Sequence, residues 1–160
     1  MSTVPTPRKL PKATLAGLRD VAVPKKRLFR RPIDNFEQYM ATHGRALFDV
    51  DQSGYVMAVA ISYLDERHGI DLTDPEFEPL CRFLVEARQS TFLILTKLHK
   101  DKYLSMLSRE FSQQELRSYY DDFLEVQEPE SGQAMRESID VLRRCLLEAD
   151  EHSVILLSLG

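Results

Sequence analysis

The chain has 160 residues, 43% hydrophobic and 29% charged, with six Gly, eight Pro and two Cys. That composition excludes collagen-like, low-complexity and disulfide-scaffold proteins. Its longest apolar run, 55–61, is far short of the roughly 20 residues a spanning helix needs, so no membrane span is expected. The formal net charge of −4 conceals a division: residues 1–32 hold nine bases against Asp20 alone, whereas residues 33–160 hold 12 bases and 24 acids. A basic arm of +8 joined to a body of −12 points toward contact with an acidic partner.

Five of the eight prolines (Pro5, Pro7, Pro11, Pro24, Pro32) lie in that arm. They remove backbone donors and disfavour helix in the residues before them, so the sequence predicts an arm over 1–32 that is extended, or disordered when isolated. Only 13–21 has the pattern of a short amphipathic turn. Within the arm, Pro24 and Pro32 bracket Lys25, Lys26, Arg27, Leu28, Phe29, Arg30 and Arg31, a cationic run with two apolar residues at its centre. These seven are the expected partner-binding residues. The run resembles a nuclear-import signal and a cyclin-docking peptide, but both patterns are short and common, and nonspecific electrostatic steering toward acidic surfaces accounts for it more simply than either.

After Pro32 the apolar spacing becomes helical. A helix is expected over 34–48, capped by Asp34 and Glu37, and a second over 56–68 that ends at Gly69. Thr73, Asp74 and Pro75 open a third helix carrying Phe77, Leu80 and Leu84 on one face. Residues 92–98 mix strand and helix preference, with a strand-like residue at Phe92. Ser112 and Glu115 form a capping box for a helix to about Val126, and a long helix follows over 133–149. The apolar tail 153–159 fits either a strand or a final helical turn.

Between the first two helices, Leu47-Phe-Asp-Val-Asp-Gln-Ser-Gly-Tyr-Val56 resembles the opening of an EF-hand calcium loop. Asp49, Asp51 and Ser53 stand at the alternating oxygen positions, Gly54 at the turn, and Tyr55 supplies a carbonyl. Gly69, Thr73, Glu76 and Phe77 then match the register of a calmodulin-like pair. The resemblance implies a second loop at 85–96, with Phe92 bridged to Val56. Met57 and Ala60 replace the later ligands of the first loop, and Val85, Ala87 and Ser90 remove those of the second. At most weak calcium binding at Asp49, Asp51, Ser53 and Tyr55 is therefore implied, with no other cofactor.

These observations and the resemblance together give an expected all-α fold. The basic arm (1–32) precedes a degenerate EF-hand-like lobe (33–100), whose core would be Phe36, Phe48, Leu64, Phe77 and Leu84. A C-terminal helical half (101–160) follows, which is either a second degenerate lobe, as in myosin light chains, or an unrelated helical extension. His43, His68, His99 and His152 lack zinc-site spacing, and no phosphate loop, G-x-S-x-G or H-E-x-x-H pattern occurs. The function expected from this reading is a non-enzymatic, calmodulin-like adaptor. Its partner would be a protein with an acidic surface, such as a cytoskeletal filament, or one offering an amphipathic helix. A calcium sensor, an acidic immunity-type inhibitor and a nucleic-acid- or ribosome-associated subunit are the alternatives. The expected location is cytoplasmic, with cytoskeletal association, nucleus and mitochondrion left open.

Overall fold

A computed structural model describes residues 4–160. Its centre is a four-stranded antiparallel sheet in the order β4-β1-β6-β5, formed by β1 (Thr6–Pro11), β4 (Arg45–Ala46), β5 (Phe92–Leu95) and β6 (Ser153–Ser158). The fold is therefore mixed α/β, and the all-α expectation is corrected. Seven helices cover both faces of this sheet. They are α1 (Leu15–Ala22), α2 (Phe36–His43), α3 (Gly54–His68), α4 (Glu78–Arg88), α5 (Lys97–Leu107), α6 (Gln113–Leu124) and α7 (Ser131–Glu148). A short 3-10 turn (Lys12–Thr14) between β1 and α1 and a separate hairpin, β2 (Lys25–Arg27) with β3 (Arg30–Ile33), complete the described elements.

The central strand explains the layering. In β6, Val154 and Leu156 face a cluster built from α1, α2 and α4, while Ile155 and Leu157 face a larger cluster with α3, α5, α6 and α7. Successive strand side chains point to opposite faces, so an unbroken Val-Ile-Leu-Leu run fits a strand buried on both sides. The five residues expected to form one lobe's core are divided by the sheet. Phe36, Phe77 and Leu84 pack on one face, and Phe48 and Leu64 on the other.

The first part of the basic segment, from Thr6 to Ala22, does not stand apart from the body. Arg8 pairs with Leu156 of β6 on one side and with Ala46 of β4 on the other. Lys12 donates its N–H to the His152 carbonyl at 2.8 Å. Even-numbered residues of β1 therefore bond to β6, while Pro7 and Pro11 turn their donorless nitrogens toward the side where β4 has only two residues. The sheet loses few bonds to them.

Local signals set most helix ends. The Ser53 hydroxyl accepts the Val56 N–H and starts α3. Gly69 (φ 64) closes that helix in the left-handed region, its N–H bonding Asp65 O at 3.0 Å while the Ile70 N–H bonds Leu64 O at 3.0 Å. The Ser112 hydroxyl likewise accepts the Glu115 N–H at the head of α6. The helix expected over 34–48 instead stops at His43, and the next residues form β4.

That early stop removes the incoming helix of the expected EF-hand pair. Phe92 pairs with Ser158 rather than with Val56, so the two-loop bridge is replaced by an edge of the central sheet. The EF-hand pair arrangement and the calmodulin-like architecture are corrected accordingly. Among the described residues, no helix is long and apolar enough to cross a membrane.

Candidate functional site

Three places on the molecule could carry chemistry: the former calcium-loop segment, a cleft beside it, and the β2–β3 hairpin. At the first, Ser53 is engaged as the cap of α3, and Gly54 and Tyr55 lie within its first turn. A Cβ on Gly54 would run into the Leu159 carbonyl oxygen. Gly54 is therefore needed for close packing of α3 on the end of β6, and its φ is not positive as a sharp turn would require. Asp49 and Asp51 are exposed on the segment before the helix. Among the described residues, no group of three His, Cys, Asp or Glu side chains is placed to hold a metal ion.

Asp49 and Asp51 instead line a cleft of about 500 Å³ between their own segment, residues 107–111 and α7. Sequence reading does not single out the α7 side of this cleft. Arg143 grips Asp140 through two nitrogens at 3.0 and 2.8 Å, and Arg144 stacks 3.9 Å from the Phe48 ring centroid. The Gln52 amide donates to Glu137. Four arginines and five carboxylates line the walls, so the cleft presents no field of a single sign to a ligand.

The buried titratable groups also have structural partners. His99 Nδ1 accepts the Thr96 N–H at 3.0 Å and its Nε2 lies 3.1 Å from Thr73 O, so the ring joins the start of α5 to the 69–77 segment. Burial pushes the Cys81 thiol up to about 11 and the Cys145 thiol up to about 12. Both are protonated, weak nucleophiles at neutral pH.

The hairpin differs from both other places. Lys25, Lys26, Arg27, Leu28, Phe29, Arg30 and Arg31 are brought together on one projecting element, and all seven are exposed. Leu28 is 86% and Phe29 101% exposed. The two form the turn between strands, and Phe29 sits at φ 63, a left-handed conformation that favours glycine and strains a bulky side chain. Arg27 lies directly across from Arg30, a like-charge pair that weakens a two-stranded ladder. Among the described residues none of the five cations makes an ion pair.

The base of the hairpin is held in place. Arg88 of α4 bonds Asp34 at 2.8 Å just after β3, donates to Ala22 O at 3.4 Å just before β2, and lies 4.6 Å from the Phe36 ring centroid. Burial works upward on the Asp34 carboxyl, but the Arg88 hydrogen bond and charge, with the Phe36 N–H, hold it below the ordinary carboxylate value. One guanidinium thus clips both ends of the excursion to the body and leaves the tip free. The composition of 24–32 marks this site in the sequence, whereas Arg88 as its clip has no local signal.

Comparison with protein-family models, curated proteins and solved structures finds no match to this chain.

Proposed function

We propose that this chain is a docking module, in which an acidic α/β body presents a basic, apolar-tipped hairpin to a larger acidic surface. The observation that carries the reading is the coincidence at 25–31 of three costs to folding. A phenylalanine occupies the left-handed region, Leu28 and Phe29 bury almost none of their apolar surface, and Arg27 opposes Arg30. Strain and exposed hydrophobicity without a folding benefit concentrate at sites that bind. The clip at Arg88 adds to the case, because a fixed base lowers the entropy lost on docking. The cleft beside α7 supports catalysis less well, since its mixed charges set up no field of one sign and no group of three His, Cys, Asp or Glu side chains among the described residues is placed to hold a metal ion.

The test uses the body's own charge as the obstacle. A chain of net charge −4 and sequence pI about 5.6 is ordinarily excluded from a sulfonate cation-exchange surface at pH 7.5 in low salt. The expected result is retention that is lost in the Lys26→Glu/Arg30→Glu variant. Retention should persist in Lys102→Glu/Arg109→Glu, which has the same net charge with the reversals on the body. Flow-through of the natural chain, or equal retention of all three proteins, would contradict the reading.

A further inference from the structure

We infer that the acidic surface is an anionic lipid leaflet, into which the hairpin inserts Leu28 and Phe29 while its five cations lie in the plane of the lipid phosphates. The inference rests on the docking role of the hairpin and goes beyond it by naming the partner's chemistry. Three features of the geometry favour lipid over an acidic protein.

The first is the distribution of charge around the stem. Cross-strand partners Arg27 and Arg30 share one face, so by strand alternation Lys26 lies on the other, and a β-bulge between this pair and Lys25–Ile33 twists the stem. A protein interface covers one face of a hairpin and would leave a cation on the opposite face in solvent. A leaflet surrounds the tip and meets the cations of both faces. The second is the position of the apolar residues. Leu28 and Phe29 are adjacent, form the extreme turn and are exposed on every side, which suits a fluid apolar medium that needs no shaped pocket.

The third is reach. Three residue steps of strand place the tip roughly 10 Å beyond Lys25, while the Debye length at physiological salt is about 8 Å. The hairpin can therefore meet a negative surface with repulsion from the acidic body largely screened. With only two apolar residues, the attachment is reversible and depends on charge, so it weakens as salt rises.

The chain contains no tryptophan, so Phe29→Trp in the full-length protein introduces a single reporter at the tip. Mixed with vesicles of 70% phosphatidylcholine and 30% phosphatidylserine, its emission is expected to shift to the blue and to be quenched by lipids brominated along the acyl chain. Vesicles of phosphatidylcholine alone should give neither effect. Adding Lys26→Gln is expected to lower partitioning about fivefold, the usual contribution of one cation near an anionic leaflet. Leu28→Trp provides a second reporter should the first disturb the turn.

No spectral shift from either reporter on the anionic vesicles, in protein that is retained on the sulfonate surface, would overturn the lipid assignment and make an acidic protein surface the partner class. A shift without bromine quenching would overturn insertion. Loss of both vesicle binding and sulfonate retention would remove the docking role itself.

Discussion

The two halves of the basic N-terminal segment are both cationic and both contain prolines, and they have opposite fates. In β1, Arg8 pairs with Glu37 at 3.8 Å, Lys9 with Asp150 at 3.2 Å, and Leu10 is fully buried. In the hairpin, the five cations make no ion pair among the described residues, and Leu28 and Phe29 are almost fully exposed. The acidic body therefore neutralises the cations it needs for its sheet and leaves the others outward. Positive charge in this chain has two uses, and only contacts distinguish them. The first half is part of the fold, and the second is carried by it.

That contrast can be broken most forcefully at the sheet. Leu156 is 1% exposed and lies between Arg8 of β1 and Ile94 of β5. Leu156→Ala should cost about 3 kcal/mol through lost burial and a residual cavity, read as a fall in the urea midpoint at unchanged slope. A cost below about 1 kcal/mol would mean that β6 is not the centre of the core.

A smaller effect comes from the thiols. Burial raises Cys145 from 9.0 to about 12, so the unfolded chain releases this proton first as pH rises. Its contribution to stability is complete below pH 9 and declines through the folded value, with on the order of 1 kcal/mol lost by pH 10. Urea midpoints from pH 8 to 10 should therefore fall less steeply in Cys145→Ala than in the natural chain. Equal slopes would show that this thiol does not control the alkaline limb. Substitutions confined to the hairpin should leave that limb unaltered.

Much of the helical layer is legible locally. Ser53, Gly69, Ser112 and Glu115 each act within a few residues, and the helices they bound fall close to the expected places. The sheet is not legible in this way. It joins Thr6 to Ser158 and Phe92 to Ser158, and no local pattern encodes partners so far apart. Pro7 and Pro11 argue against a strand until the register shows that their nitrogens face the two-residue β4. The segment 47–56 misleads for a related reason. An aspartate-rich approach, a serine cap and a glycine suit a calcium loop, but here they serve a helix start and the close approach of Gly54 to Leu159. The cationic run at 25–31 is visible in composition alone. Its form as a clipped hairpin depends on Arg88, 54 residues from Asp34.

The most direct measurement of the difference between the two halves is equilibrium urea unfolding of the Leu28→Asn/Phe29→Gly variant. Asparagine is a common turn residue, and glycine suits the one left-handed position of this turn, at 29, where it relieves a strain of about 1 kcal/mol. If the tip serves binding and not folding, the variant is at least as stable as the natural chain, by up to about 1 kcal/mol. A loss of 1 kcal/mol or more would show that Leu28 and Phe29 support the fold, and would contradict the division of the basic segment into a folded half and a presented one.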